Sequence, residues 1–63
     1  MLDAMVWYRN GKHYYLYHHH TSTLLILPQA QASKILSYGE LIHVRITHVV
    51  MDEDGSPRVV VHM

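Results

Sequence analysis

The dipeptide Asn10-Gly11 lies between two runs of aromatic and β-branched residues, and it constrains the fold more than any other feature of the chain. The first run covers residues 4–9 and the second covers residues 12–18. Asn-Gly accepts the positive φ angles of a type I′ turn, and a two-residue loop of this type joins antiparallel strands. The sequence therefore predicts a β-hairpin whose loop is Asn10-Gly11.

This loop also predicts the register of the hairpin, with Trp7 opposite Tyr14 and Tyr8 opposite His13. Both faces are then apolar or aromatic, with Met5, Trp7, Tyr14 and Leu16 on one and Val6, Tyr8, Tyr15 and Tyr17 on the other. A hairpin with one solvated face alternates apolar and polar residues more regularly. We therefore expect the hairpin to be covered on both faces or to present one face as a binding surface.

A third strand and a short helix are predicted next. Residues 24–27 form a continuous aliphatic run that is typical of a buried strand. Pro28 suits the first position of a helix, and residues 29–36 are mostly good helix formers. Gly39 lies where a left-handed residue commonly ends a helix.

The last third of the chain predicts two more strands. Residues 40–51 alternate apolar and polar side chains at first, which is typical of a half-buried strand. The alternation weakens at Thr47-His48, where we expect a bulge. Residues 52–57 then predict a turn, and residues 58–62 a final strand.

The chain is short for a stable core. Its 63 residues include no cysteine, so neither disulfides nor thiolate metal sites can stabilise it. A domain of this size buries only about 60% of the surface that its unfolded chain exposes. We expect a single domain over residues 1–63, mainly β with one short α-helix, in the order β-β-β-α-β-β. Two architectures accept this order: an intertwined swapped-hairpin dimer, which the thin core favours, and a small five-stranded OB-like barrel.

Residues 24–62 follow a pattern of strand, proline, short helix and strand. The pattern consists of Leu25-Ile26-Leu27-Pro28, the helix through Ile35-Leu36, and Gly39-Glu40 before the strand of residues 41–46. It resembles the swapped-hairpin AbrB-like transcription factors and antitoxins, in which an aliphatic-Pro step opens a short helix. The resemblance implies a homodimer that binds duplex DNA through basic residues near its N-terminal hairpin, here Arg9 and Lys12.

The charge of the chain is balanced overall but divided between its two parts. The formal net charge is zero, with +2 in residues 1–39 and −2 in residues 40–63. Cations next to stackable rings suit single-stranded nucleic acid, and a β-ribbon tip can also enter a major groove. The predicted nucleic-acid-binding residues are Trp7, Tyr8, Arg9, Lys12, Tyr14 and Lys34. In the structural alternative, Trp7 and Tyr14 form a core pair across the strands and the two charges only solvate the turn.

Seven histidines raise the question of a metal site. His18 and His20 would project from the same face if their strand continues, and His43 on another strand could supply a third ligand. No acidic residue or cysteine lies beside the histidine run, so we predict no metal or other cofactor, and these three histidines are the candidates if one binds.

Several classes of protein are disfavoured by what the sequence lacks. It has no phosphate-binding glycine loop, no zinc-protease or hydrolase motif and no long apolar segment, so we expect neither an enzyme nor a membrane protein. No signal-peptide pattern opens the chain, and we expect a cytoplasmic location. Two functions are left open: a small homodimeric DNA-binding regulator, or a protein-interaction module or inhibitor, such as a phage-type protein that binds a host enzyme through its aromatic surface.

Overall fold

The structure is a computed structural model that describes residues 2–63. In this part of the chain it contains five β-strands and one 3-10 turn. The elements are β1 (Leu2–Asn10), β2 (His13–His18), β3 (Thr23–Pro28), the 3-10 turn (Gln29–Gln31), β4 (Leu41–Met51) and β5 (Pro57–His62). The prediction of a mainly β chain is confirmed.

The five strands close into a barrel in the order β1-β2-β3-β5-β4. Neighbouring strands are antiparallel except β3 and β5, which run parallel. β4 closes the barrel against β1, with Leu41 opposite Met5 and Val44 opposite Leu2. This is the order of the OB-like barrel that the sequence allowed as its second architecture. One chain closes the sheet by itself, and the swapped-hairpin dimer stays a prediction.

The barrel interior is filled by every second residue of the strands, as the two-residue period of a β-strand requires. Leu16 on β2 lies opposite Val6 on β1 and Leu25 on β3, and all three are buried. The complete buried apolar set consists of Ala4, Val6, Tyr14, Leu16, Leu25, Leu27, Leu36, Ile42, Val44 and Val61.

The first hairpin forms, but the predicted register is wrong by one residue at the turn. Asn10 pairs with His13, so the loop residues are Gly11 and Lys12 rather than Asn10 and Gly11. Gly11 has φ +62°, and Ser22 is the one non-glycine residue with positive φ within residues 2–63. A type I′ turn needs positive φ at both loop positions, whereas type II′ places a glycine first. The chain therefore takes the second solution, and β2 is displaced relative to β1.

A β-bulge at Trp7 changes the register again further along β1. Tyr8 lies opposite Tyr15, whereas Val6 lies opposite Leu16, so β1 has one extra residue between these two pairs. The bulge lets Val6 enter the core while Tyr8 stays outside, because the extra residue reverses the alternation of inward and outward side chains along β1. The bulge at Trp7 was not predicted, whereas the bulge predicted at Thr47-His48 is confirmed, since the β4–β5 register shifts between Ile46 and His48.

The predicted α-helix over residues 29–36 is replaced by the single 3-10 turn Gln29–Gln31. The turn has no side-chain cap, and Ala32 already has extended backbone angles (φ −85°, ψ 132°). Ile35 is 84% exposed whereas Leu36 is buried over the barrel. A helix of two or three turns is marginal without an apolar face to bury. Here the chain buries Leu36 from an irregular segment instead.

Candidate nucleic-acid interface

Four aromatic side chains, Trp7, Tyr8, Tyr15 and Tyr17, lie together on the outside of β1 and β2, and we call them the aromatic face. Tyr15 and Tyr17 point outward because Leu16 between them points into the core. The bulge at Trp7 then brings Trp7 and Tyr8 to the same side of β1. Trp7 therefore belongs to the aromatic face because of the bulge in β1.

The rings of the aromatic face form one continuous series. Tyr8 and Tyr15 are stacked, with ring centroids 4.7 Å apart and planes inclined by 12°. Trp7 contacts Tyr8 edge-on at 6.2 Å and Tyr17 at 5.7 Å. Trp7 is 46% exposed and Tyr8 is 43% exposed. Large, half-exposed rings in a fixed arrangement are the feature that base-stacking surfaces share.

A groove of about 380 Å³ adjoins the aromatic face on the outside of the barrel. Its walls are Tyr8 and Tyr15 on one side and the end of the β4–β5 turn on the other, with Leu24 and Ile26 of β3 between them. Arg58 contributes a cation to this groove, and its Nε lies 3.2 Å from Asp52 Oδ2. The groove therefore combines ring surfaces, an apolar floor and one partly neutralised guanidinium.

The two cations predicted at the hairpin tip are exposed. Arg9 and Lys12 form no ion pair with any residue of the range 2–63. Lys12 lines a second groove with His13 and Pro28, next to the pair Tyr15 and Ile26. Arg9 lies opposite Tyr14 and so belongs to the end of the barrel rather than to the aromatic face itself. Cations are thus present at one end of the ring series.

Tyr14 and Lys34 were also predicted to bind nucleic acid. In the structure, each of them contacts another residue of the chain instead. Tyr14 is 2% exposed, and its hydroxyl oxygen accepts a hydrogen bond from the Leu36 N–H at 3.4 Å. Tyr14 is therefore a core residue, which corrects the prediction that it could stack on a ligand. Lys34 Nζ lies 2.5 Å from Glu40 Oε2, so its charge is locally neutralised.

The histidine run does not continue as a strand. β2 ends at His18, and His19 and His20 lie in the following turn. His18 is buried, with Nδ1 2.6 Å from the Asp3 carbonyl oxygen, whereas His43 pairs with the Asp3 carboxylate. Within residues 2–63, no group of three or more His, Cys, Asp or Glu side chains is placed to hold a metal ion.

Hydrogen bonds within the β4–β5 turn fix the acidic end of the groove. Asp52 Oδ1 accepts the Ser56 N–H at 3.1 Å, and Asp54 Oδ1 accepts the same N–H at 2.9 Å. The hydrogen bond with the Asp52 side chain, followed by those with Ser56, lowers the pKa of Asp54 to about 2. The turn therefore stays anionic at neutral pH, and a polyanion would avoid this end of the groove.

No protein-family model, curated protein or solved structure significantly matches the chain. In addition, none of the residues 2–63 forms a helix that is long and apolar enough to cross a membrane.

Three members of this surface are absent from the predicted binding residues: Tyr15 and Tyr17, which the sequence placed on the same face as Tyr8, and Arg58. The assumed Asn10-Gly11 loop paired Trp7 with Tyr14, which directed attention to the wrong tyrosine. The signal that identifies Tyr15 and Tyr17 is present in β2 alone, since they alternate with Tyr14 and Leu16. Arg58 had no such signal, because its place beside the rings depends on the parallel pairing of β3 with β5.

Proposed function

We propose that the chain binds single-stranded nucleic acid, with bases stacked on the aromatic face and phosphates near Arg9 and Lys12. The observation that carries the proposal is the continuous series of rings Tyr15, Tyr8, Trp7 and Tyr17, in which Tyr8 and Trp7 are exposed. Each base stacked on an aromatic side chain contributes about 1–3 kcal/mol, and every base has a ring face. Binding of this kind tolerates different sequences.

The size of the surface supports a short binding site. His13 and Tyr17 are four residues apart on β2, so the outward side of this strand spans about 13 Å. That length accommodates two or three stacked bases. The groove beside Tyr8 and Tyr15 could accept one further base near the Arg58 guanidinium.

The distribution of charge determines where phosphates can bind and how strongly the affinity depends on salt. Because Arg58 is paired with Asp52 in the acidic turn, Arg9 and Lys12 are the cations beside the path that phosphates can reach. Each neutralised phosphate of a single strand contributes a slope of about −0.7 to the salt dependence of affinity. Two contacts therefore predict a total slope of about −1.4, with stacking supplying the remaining affinity.

Fluorescence of Trp7 gives the direct test, because Trp7 is the single tryptophan of the chain. Titration with short oligothymidine or oligouridine at low salt should quench this fluorescence as bases stack on Trp7. Tyr15→Leu should weaken binding about tenfold, whereas Tyr15→Phe keeps the ring and should bind like the unmodified chain.

Matched charge variants test the phosphate contacts. Arg9→Gln and Lys12→Gln should each weaken binding and make the salt dependence less steep, because each removes one phosphate contact. Arg45→Gln removes an exposed cation from β4 and serves as the control, with unchanged affinity. Absence of any binding at about 50 mM salt would contradict the proposal.

Binding of a protein partner is the second candidate function. If no nucleic acid binds, we assign the aromatic face to this role. Half-exposed Trp and Tyr side chains are the residues that most often dominate protein interfaces. The regulatory role that the resemblance implied rests on nucleic-acid binding and depends on the same titration.

A further inference from the structure

A small pocket lies at the end of the barrel, next to the aromatic face, and we call it the Tyr38 pocket. It has a volume of about 160 Å³, and its lining residues are Val6, Tyr8, Arg9, Tyr14, Leu36 and Tyr38. Val6, Tyr14 and Leu36 are buried and form its floor. Tyr8 lines both this pocket and the groove beside Tyr15. The Tyr38 pocket is therefore continuous with the proposed base-stacking surface.

Arg9 reaches the Tyr38 pocket from β1. It lies opposite Tyr14, and residues directly opposite each other lie on the same side of a sheet. Because Tyr14 points into the barrel, Arg9 lies on the inward side of β1, at the end where the barrel opens and the residue stays exposed. Arg9 forms no ion pair with any part of the chain that the structure describes. The pocket thus has an unpaired guanidinium at its rim.

Tyr38 is held at the pocket by a tight turn in the segment between β3 and β4. The Glu40 N–H donates to the Ser37 carbonyl oxygen at 3.1 Å, and Gly39 has φ +82°, as the third position of a type II turn requires. Two hydrogen bonds of 2.8 Å attach this turn to β1, from the Gly39 N–H to the Val6 carbonyl and from the Val6 N–H to the Glu40 carbonyl. The Tyr38 ring is 77% exposed although its backbone is fixed.

The charges around the turn leave the pocket open to an anion. None of the lining residues is acidic. Glu40 is the acidic residue of the turn, and its carboxylate already contacts Lys34 Nζ at 2.5 Å and accepts the Ser37 N–H at 3.0 Å. An exposed ring and an unpaired guanidinium on one pocket match a nucleotide, because its base can stack on the ring while its phosphate binds the cation.

We propose that the Tyr38 pocket binds one nucleobase of a single strand, stacked on the Tyr38 ring, with the phosphate of that nucleotide on Arg9. This inference rests on the proposed function and extends the path of the strand beyond Tyr8. It explains how Arg9, which lies outside the aromatic face, takes part in binding. The binding site is then one nucleotide longer than the aromatic face alone provides.

Titration of Trp7 fluorescence with an oligothymidine of about six nucleotides tests the pocket. Tyr38→Leu should weaken binding about fivefold or more and leave the salt dependence unchanged, because it removes a ring and no cation. Tyr38→Phe keeps the ring and should bind like the unmodified chain. Ile35→Ala is the control, since Ile35 is 84% exposed in the same segment and does not line the pocket. Circular dichroism of each variant verifies that the barrel is folded.

NMR of the unmodified chain with the same oligothymidine gives a test without a substitution. Nuclear Overhauser effects should join the Tyr38 ring protons to the protons of one thymine base. Bound oligothymidine without these contacts would overturn the inference. So would an unchanged affinity of Tyr38→Leu beside a weakened Tyr15→Leu, and in that case the proposed function would stand. Absence of any binding by the unmodified chain would overturn both.

Discussion

Tyr8 and Tyr15 stack face to face across β1 and β2, with ring centroids 4.7 Å apart and planes inclined by 12°. The two residues are opposite each other because the hairpin loop is Gly11-Lys12, and the same register pairs Asn10 with His13. A shift of one residue would bury one ring and separate the pair, since successive side chains lie on opposite faces of a strand. The stack is therefore a consequence of the register and a sensitive measure of it.

The Tyr8–Tyr15 stack should contribute a measurable coupling energy to folding. In a double-mutant cycle with Tyr8→Leu and Tyr15→Leu, we expect a coupling of about 0.5–1.5 kcal/mol, the range for aromatic pairs beyond their buried area. Urea unfolding followed by circular dichroism measures all four free energies. Strictly additive effects of the two substitutions would contradict the stacked geometry.

Substitutions at the hairpin turn distinguish the observed loop from the predicted one. Gly11→Ala should destabilise the fold by about 1 kcal/mol, because the left-handed backbone at φ +62° is costly for a residue with a Cβ. The space around Gly11 is open, so no steric clash adds to this cost. Asn10→Thr should have little effect, because Asn10 is a strand residue that pairs with His13.

Urea midpoints of the two variants provide the comparison. A large loss of stability in Asn10→Thr together with a tolerated Gly11→Ala would indicate a different turn. In that case the turn would not require a glycine at its first loop position, Gly11.

Much of the fold follows from the residue pattern, and the exceptions have local physical causes. The strand around Leu25 and Leu27 is specified by its aliphatic run, and β4 by the alternation that begins at Ile42. The hairpin register was not specified, because Asn-Gly serves two related turns that differ by one residue. The helix prediction failed because Ile35 had no surface to cover, so helix propensity was not supported by packing.

The candidate site was predictable only in part. Trp7, Tyr8, Arg9 and Lys12 lie on the surface as their pattern near the turn suggested. Tyr14 was assigned to the site because the assumed register placed it beside Trp7. The Arg58 groove depends on contacts between strands that are distant in sequence, and no local pattern encodes such contacts.

Removing side-chain volume from the centre of the barrel should greatly reduce the stability of the fold. Leu16 has no exposed surface, and Leu→Ala at such a position costs about 2–5 kcal/mol. A lone core of this size supplies about 3–5 kcal/mol in total. Leu16→Ala should therefore be largely unfolded at room temperature, as measured by circular dichroism.

Leu24→Ala is the matched control, since Leu24 is 41% exposed on the same sheet. We expect Leu24→Ala to lose much less stability than Leu16→Ala, because truncating a surface side chain leaves no internal cavity. Equal effects of the two substitutions would contradict the assignment of Leu16 to the core.

The hydroxyl of Tyr14 should stabilise the segment that covers the barrel. Tyr14→Phe removes the acceptor of the Leu36 N–H and leaves that buried donor without its partner. We expect a loss of about 0.5–1.5 kcal/mol and faster hydrogen exchange of the Leu36 amide. Tyr38→Phe removes an exposed hydroxyl and should change neither quantity. Unchanged exchange at Leu36 in Tyr14→Phe would mean that the bond does not hold this segment.

Protonation of Glu40 should loosen the same segment in acid. Hydrogen bonding with the Lys34 side chain, followed by the Ser37 N–H, lowers the pKa of Glu40 below its ordinary value of 4.5. A carboxylate with a lowered pKa in the folded state contributes stability above its unfolded pKa, and this contribution is lost as the pH falls through the folded value. Glu40→Gln should therefore make the stability less dependent on pH as the pH falls below the ordinary carboxyl value of 4.5.

Urea unfolding at several pH values measures this dependence, with Glu53→Gln as the control. Glu53 is an exposed carboxylate without a hydrogen bond or ion pair in the described part of the chain, so its removal should leave the pH profile parallel to that of the unmodified chain. A parallel profile for Glu40→Gln as well would show that the Lys34–Glu40 contact does not form in solution. Because the pair is at the surface, added salt should reduce the difference between Glu40→Gln and the unmodified chain.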